Sequence, residues 1–234
     1  ASKFVDENTN YGYLEIDDLA SGSTGMTIPQ LPSQRSIEVF KKIRLSPRFD
    51  KYPDFEFKTI AEFHATSDRK VFDTSTGSSP DKMRVLGGSS FNLWSINPDQ
   101  VFAWANQKIA IEYLQSKRFN QARTSSSAFY NLDPITLADI DTLPSNHSRI
   151  AFRQVTNSVD SRTIISMLVP DKTLLVNSAP YLLRIKGTPQ DEAFILATLS
   201  SMVLDWYARR FIVLNLNFHI FNGFPFPLVA KKDD

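Results

Sequence analysis

Four short apolar runs follow one another between residues 148 and 186, and they constrain the fold more than any other feature of the chain. They read SRIAFRQV, TIISMLV, TLLV and YLLRIK. β-Branched and aromatic residues are frequent in these runs, and the turn formers Pro170-Asp171 and Ala179-Pro180 separate the later ones. The pattern predicts a small, mostly antiparallel sheet in this half of the chain.

Three other segments combine helical spacing with residues that start helices. They run from Ser33 to Leu45, from Asn97 to about Arg118, and from Thr188 to about Arg210. In the third helix we expect these side chains to point inward: Ile195, Leu199, Met202, Val203 and Trp206. Short strand-like runs are expected between Asp50 and Phe72 and in the tail VLNLNFHIFNGFPFP.

These elements predict a mixed α+β fold, with small, mostly antiparallel sheets and flanking helices. We expect an N-terminal lobe over residues 1–143 and a C-terminal lobe of sheet and helix over residues 144–234. Together the two lobes are expected to make one functional domain. The chain starts with Ala1 and not with Met, so we expect a segment of a longer protein.

Composition narrows the class of protein. Hydrophobic residues make up 42% of the 234 residues, which is typical of a folded domain. There is no cysteine, so disulfides and thiolate metal sites are excluded, and a reducing compartment such as the cytoplasm fits. No apolar run approaches the ~20 residues that cross a bilayer, so we expect no membrane association.

Charge is distributed unevenly along the chain, although the formal net charge is only +1. The first twenty residues carry five acidic side chains and a single basic one, Lys3. Residues 145–230 carry eight basic side chains and five acidic ones. The second half is therefore modestly basic, and a solvated surface of mixed sign explains this about as well as a nucleic-acid partner does.

Catalytic motifs are not found in the sequence. A methyltransferase needs a glycine-rich cofactor loop, and an adenine-specific one needs an Asn-Pro-Pro-aromatic motif. The nearest match, Asn97-Pro98-Asp99, is explained as a helix cap. Phosphate-binding loops and nucleophile elbows are also missing. We therefore expect no catalytic residue and no cofactor in this segment.

Two further sets of residues have side chains of the types that bind metal ions. Asp54, Glu56 and Lys58 have the residue types of a Mg²⁺-dependent nuclease, but two acidic residues so close on one strand face the same side instead of lying on successive strands. The histidines at positions 64, 147 and 219 lack the spacing of a zinc site. No metal site is therefore predicted, and a nuclease is kept only as a lesser alternative.

Four stretches carry a resemblance to a known family. They are IPQLPSQRSIEVFKKI, EFHATSDRKVFD, VLGGSSFNLWSIN and the block from SRIAFRQVTNSVDSRTIISMLVP to DWYARRFIVLNLNFHIFNGFPFP. In this order, from Ile28 to Pro227, they resemble the C-terminal target recognition domain of TaqI-like and type IIG adenine-N6 DNA methyltransferases and related phage-defence methylases. One departure is that VLGGSS stands where such relatives carry a Tyr-x-Gly-Lys-like core.

The resemblance implies that the segment binds double-stranded DNA and gives sequence specificity to a methyltransferase domain upstream in the same polypeptide. S-adenosylmethionine would be bound by that domain, so this segment would not methylate alone. A recognition domain holds phosphates with basic side chains and reads base edges with Arg, Asn or Gln. The candidate contacts are, near the strand ends, Arg149, Arg153, Asn157 and Arg162; near the second helix, Lys117, Arg118 and Arg123; and towards the C-terminus, Arg209, Arg210, Asn215, Asn217 and Asn222.

The nearly neutral charge leaves one alternative open. The same surface could dock a partner subunit of a defence complex and touch DNA little. Salt distinguishes the two functions, because phosphate contacts weaken steeply as salt rises and an apolar protein interface does not. An internal ion pair of Arg162 with Asp160 is a further possibility for the basic residues at the strand ends.

Overall fold

The computed structural model describes residues 28–74 and 77–228, together with Glu15. The rest of the acidic N-terminal segment and the KKDD end lie outside the described residues. The helices are α1 (Gln34–Ile43), α2 (Gln107–Gln121), α3 (Pro134–Ala138), α4 (Pro189–Ser200), α5 (Met202–Ala208) and α6 (Phe218–Asn222). In this part of the chain no helix has the length and the apolar character that crossing a bilayer requires.

Nine short strands accompany these helices in the described part of the chain. They are β1 (Glu56–Ile60), β2 (Lys82–Leu86), β3 (Phe91–Asn92), β4 (Ser95–Ile96), β5 (Ala103–Asn106), β6 (Arg149–Phe152), β7 (Ser166–Val169), β8 (Thr173–Leu175) and β9 (Tyr181–Lys186). A four-stranded antiparallel sheet has the order β1-β9-β6-β7. A second sheet has the order β5-β2-β8, in which β2 and β8 are parallel, and β3 and β4 form a hairpin.

The architecture is the mixed α+β class that the sequence predicts, and its sheets are mostly antiparallel. Strands from both sides of Leu143 pair within each of the two larger sheets, since β1 pairs with β9 and β2 pairs with β8. The expected lobe boundary therefore does not separate one sheet from the other.

Both faces of the four-stranded sheet are covered by apolar clusters, so successive side chains of β6 enter different clusters. Ile150 and Phe152 point into an aromatic core with α1, α4, α5 and α6, whereas Ala151 points into a second cluster on the other face. Many of the 18 phenylalanines lie in the aromatic core. Phe152, for example, stacks on Phe221 with ring centroids 4.4 Å apart. The position of α2 is set by a third cluster, which joins it to β2 and β5.

The predicted first helix is confirmed, and Ser33 accepts a hydrogen bond from the Ser36 amide as its cap. The prediction of a helix from Asn97 to Arg118 is wrong at its start. Asn97 does accept from the Asp99 amide, but only a single 3-10 turn follows. The chain then forms β5, which pairs with β2, and Asn106 is the cap of α2. Sheet pairing has overridden a local helix signal.

The predicted third helix begins as expected, with a capping box between Thr188 and Asp191. It is not continuous, because Ser201 is extended and divides it into α4 and α5. Ile195 and Leu199 are buried as predicted, and Trp206 is partly buried against the aromatic core, but Met202 and Val203, which directly follow the break, are exposed. The tail also differs from the prediction, since α6 replaces the expected strand-like runs.

Candidate nucleic-acid interface

The polar loop between β6 and β7 is held by one buried carboxylate from a distant helix. Asp205 in α5 is only 1% exposed. Its Oδ1 accepts hydrogen bonds from the backbone amides of Thr163 and Ile164, both at 2.8 Å. Its Oδ2 accepts from Arg209 Nε at 2.9 Å, and Arg162 Nε lies 3.4 Å from Oδ1. The carboxylate therefore fixes the end of the loop and aligns two guanidinium groups.

Those two guanidinium groups also satisfy backbone carbonyls. Arg209 donates to the carbonyl oxygens of Ser158, Asp160 and Ser161, each at 2.8 Å. Arg162 donates to the carbonyl of Ser200, at the end of α4, also at 2.8 Å. The loop is thus tied to α4 and α5 along most of its length. The suggested ion pair of Arg162 with Asp160 is wrong, because the carboxylate partner is Asp205.

Arg149, at the start of β6, lies inside the protein. Its guanidinium is paired with Glu62, with the closest nitrogen–oxygen distance 2.9 Å, and it also donates to the Thr173 carbonyl. Glu62 accepts from the Leu175 amide as well, at 2.7 Å. Burial raises the pKa of Glu62, although the charge of Arg149 opposes the shift. The pair joins the segment just after β1 to β6 and β8, across the two larger sheets.

Arg153 and Arg210 are likewise committed to internal contacts. Arg153 donates to the carbonyls of Gly88 and Phe91, both at 2.7 Å, and burial lowers the pKa of its guanidinium. Arg210 lies over the ring of Trp206, 4.8 Å from its centroid, and donates to the Gln30 carbonyl. These contacts hold the β3–β4 hairpin and the chain before α1 in place.

The expectation of an exposed cationic surface at the strand ends is therefore wrong for Arg149, Arg153 and Arg162. The guanidinium groups of all three donate to backbone carbonyls, and those of Arg149 and Arg162 also pair with carboxylates. Most of these partners belong to segments that are remote in sequence. Asn157 shares this internal role, since its side chain accepts from the Val159 amide and its carbonyl accepts from Thr163. Among the C-terminal asparagines, positions 215 and 217 are exposed and position 222 is half-buried.

The second candidate patch lies on α2, and two of its three basic residues anchor this helix. Arg118, 2% exposed, donates to Thr142 and Gln115 and to the carbonyls of Leu137 and Asp139. Burial lowers the pKa of Arg118. These bonds join the buried face of α2 to the segment around α3. Arg123, just after the helix, is exposed.

Lys117 occupies the edge between the buried and the open face of α2. Its ammonium group donates to Asp68 at 2.9 Å and to the Glu62 carbonyl at 2.7 Å, and its side chain is 27% exposed. Asp68 also accepts from the Tyr113 hydroxyl at 2.6 Å. Burial of Asp68 tends to raise its pKa, but hydrogen bonds from Tyr113, the His64 amide and Lys117 outweigh burial and lower it. Asp68 is therefore ionised and holds Lys117 in position.

An open cleft of about 340 Å³ runs along this side of α2. Its lining consists of one aromatic residue, one cation and four residues with hydroxyl or amide groups: Tyr113, Ser116, Lys117, Asn120, Gln121 and Thr124. The ammonium group of Lys70 lies 5.6 Å from the centroid of the Tyr113 ring, beside the cleft. Exposed Arg123 precedes Thr124 at the other end. We call this site the α2 cleft.

The α2 cleft contains residues that the sequence reasoning missed. Lys117, Arg118 and Arg123 were candidates because of their charge, but Asn120 and Gln121 were not. A signal was present, because Tyr113, Ser116 and Asn120 are spaced by three and four residues and so share one face of α2. Lys70 could not have been placed here, since its position depends on how the segment before β2 packs against α2.

The residues with nuclease-like or metal-binding side chains are dispersed over the described structure. Glu56 and Lys58 face the solvent on β1 and pair with each other at 3.6 Å. The three histidines are exposed and lie in separate parts of the fold. Within residues 28–74 and 77–228 no three His, Asp or Glu side chains are grouped so that they could hold a metal ion. This arrangement gives no support to the nuclease alternative.

Comparison with known proteins adds no family assignment. No protein-family model matches the chain, and a comparison with curated proteins gives no match. The resemblance to methyltransferase recognition domains consequently stands on the sequence stretches quoted above.

Proposed function

We propose that this chain is a double-stranded DNA recognition module that gives sequence specificity to a fused adenine-N6 DNA methyltransferase of a cytoplasmic restriction-modification system. Two observations support the proposal. One is the ordered resemblance of Ile28 to Pro227 to recognition domains of that class. The other is the α2 cleft, which is the observation that carries the proposal, since it brings the required side-chain types together on a single surface.

The lining of the α2 cleft suits base edges. Asn and Gln side chains each offer a donor and an acceptor, and they can form bidentate hydrogen bonds with the N6 and N7 positions of adenine. Asn120 and Gln121 both line the cleft, together with the hydroxyl-bearing residues Ser116 and Thr124. An α-helix fits the major groove of B-form DNA, and α2, with 15 residues, is about 22 Å long.

In this proposal the basic side chains around the cleft contact the DNA phosphates. Lys70 and Arg123 are exposed beside it, and Lys117 is partly exposed within it. Positive charge at the rim fixes the register of a helix on the duplex, and it does not require a strongly basic protein as a whole. This explains how a chain with a net charge of only +1 can bind DNA.

The chemistry would belong to the upstream domain. Adenine in a duplex is reached only after the target nucleotide is flipped out of the stack. In this scheme the α2 cleft holds the flanking duplex, and the methyltransferase domain binds S-adenosylmethionine and the flipped base. The segment itself supplies affinity and sequence preference, and no step of methyl transfer.

The experiment is a selection of binding sequences from a pool of random DNA duplexes, followed by titration of the selected duplex at several salt concentrations. We expect the logarithm of the association constant to fall linearly with the logarithm of salt concentration. Arg123→Ala should weaken binding to all sequences and lower the slope by about 1, because one phosphate contact is lost.

A matched control is the replacement of an exposed basic residue away from the cleft. Lys51→Ala serves this purpose, since Lys51 is exposed in the 3-10 turn before β1. It should leave affinity and slope unchanged. Failure to enrich any sequence, or binding that does not respond to salt, contradicts the proposal and favours the docking of a partner protein.

A further inference from the structure

A small, partly enclosed cavity lies between α2 and the four-stranded sheet, next to the α2 cleft. Its volume is about 20 Å³, which is room for a single particle of the size of a water molecule. Apolar residues of α2 and of β1 and β9 form part of its walls. The charged and polar residues of its lining are Glu62, Lys117, Arg118, Gln121 and Tyr181. We call this site the Arg118 cavity.

Arg118 is a buried cation without a carboxylate partner. Its four hydrogen-bond acceptors are all neutral oxygens: the Gln115 amide, the Thr142 hydroxyl and the backbone carbonyls of Leu137 and Asp139. Among the described residues Arg118 forms no ion pair, and its Nε has no hydrogen-bond partner. Because a buried charge is costly unless an opposite charge pairs with it, Arg118 lacks a counter-charge.

The other charged groups at the cavity neutralise each other in two ion pairs. Glu62 pairs with Arg149, and Lys117 pairs with Asp68, each with a nitrogen–oxygen distance of 2.9 Å. Each carboxylate in this group therefore already has a cation as its partner. Three cations and two carboxylates meet around the cavity, so one positive charge is left over. That charge belongs to Arg118.

The carboxylate of Asp139 does not supply the missing charge. It attracts the guanidinium group, but Asp139 is exposed and its side chain accepts from the Asp141 amide. Burial has a larger effect than this attraction and lowers the pKa of Arg118. A water molecule beside Arg118 would offer a hydrogen-bond acceptor but would leave the charge uncompensated. A small anion would supply both the acceptor and the charge.

Two further residues of the lining can donate hydrogen bonds to an anion. Burial raises the pKa of Tyr181, so its hydroxyl keeps its proton at neutral pH. Gln121 carries two amide N–H donors. Together with Arg118 they offer an anion one positive charge and additional N–H and O–H donors. The lining is less suited to a cation, because Glu62, its carboxylate, is already paired.

We propose that the Arg118 cavity binds one small monovalent anion, for which chloride is the probe. The ion neutralises the Arg118 guanidinium and lies where α2 packs against β1 and β9. It therefore stabilises the contact of α2 with the four-stranded sheet. The site does not depend on DNA binding, so it stands or falls separately from the proposed function.

The test follows thermal unfolding of the full chain, without DNA, as chloride replaces gluconate at constant ionic strength. Gluconate is too large for the cavity, whereas an ion that binds only the folded state stabilises it as its concentration rises. We expect the unfolding midpoint to rise by at least about 2 °C up to about 0.2 M chloride. Lys108→Met, which removes an exposed cation from the first turn of the same helix, should keep this rise.

Two variants should lose the chloride-dependent rise. Arg118→Met removes the charge, and Ala61→Leu places a larger side chain at the cavity while Arg118 stays in place. If Arg118→Met does not fold, Ala61→Leu decides, and chlorine NMR of the parent protein gives a second measurement, since a bound ion that exchanges with solvent broadens the signal. A parent protein that responds equally to chloride and gluconate overturns the proposal, and so does an unchanged rise in Ala61→Leu, because the ion then binds elsewhere.

Discussion

Asp205 is the residue whose replacement tests most directly how the β6–β7 loop is held. Asp205→Ala removes the acceptor of the Thr163 and Ile164 amides, and each buried amide left without a partner costs about 1–3 kcal/mol. Arg209 and Arg162 also lose their carboxylate, but they keep backbone carbonyl partners and are partly exposed. The two amides therefore dominate, and we expect a total loss of about 3–5 kcal/mol.

Asp205→Asn separates the two contributions. The amide group keeps an oxygen for the Thr163 and Ile164 amides but removes the negative charge next to Arg209. Its loss of stability should therefore be smaller, about 1–3 kcal/mol. Asp171→Ala is the control, since Asp171 is exposed in the turn before β8 and should change stability by no more than about 0.5 kcal/mol.

Urea unfolding gives these free energies, and hydrogen exchange gives the local effect. In Asp205→Ala the amides of Thr163 and Ile164 should exchange much faster than in the parent protein. A loss below about 1 kcal/mol, or unchanged exchange of these two amides, would refute the view that one carboxylate holds the loop.

Three further replacements probe other contacts, each measured by urea unfolding. Arg149→Met should lower the free energy of unfolding by about 3–5 kcal/mol near neutral pH, because it leaves Glu62 buried and charged. Since the pKa of Glu62 is raised, this loss should shrink as pH falls and Glu62 takes up a proton, and a loss that is independent of pH would contradict the prediction. Asp68→Asn should lower the free energy of unfolding by about 1–3 kcal/mol above pH 4. Because the pKa of Asp68 is lowered, the stabilisation by its carboxylate is lost as pH falls through that pKa, so the variant and the parent protein should have the same stability in acid. Gly88→Ala should lower the free energy of unfolding by about 1–3 kcal/mol, because a Cβ would lie 2.7 Å from the Ser178 carbonyl oxygen. An unchanged stability would contradict this prediction and show that the backbone shifts freely there.

The sequence predicted correctly those helices and strands that depend mainly on neighbouring residues, such as helix caps and turn formers. The Ser33 cap and the Thr188–Asp191 capping box start helices at the expected places. The runs between 148 and 186 form strands, because their turn residues and strand-forming side chains agree with the sheet they enter. The same local signal failed at Asn97, where β5 gains partners in β2 that a single-segment pattern does not reveal.

The candidate site was predicted only in part, for a physical reason. An arginine in a loop has the same sequence signature whether it meets a phosphate or a distant carboxylate. Arg162 and Asp205 are separated by 43 positions in the chain, and Arg149 and Glu62 by 87, so their pairing follows from the tertiary fold alone. The patch on α2 was recognised from charge, whereas its amide-bearing neighbours Asn120 and Gln121 were not.

Sequence-specific binding by the α2 cleft is the central claim, and its most direct measurement compares a selected duplex with a scrambled one. Asn120→Ala combined with Gln121→Ala should lose about 1–3 kcal/mol of discrimination between the two, while retaining the salt-dependent affinity for both. Asn215→Ala, at an exposed site away from the cleft, should discriminate like the parent protein. Full discrimination by the double variant, or its loss in Asn215→Ala alone, would contradict the account.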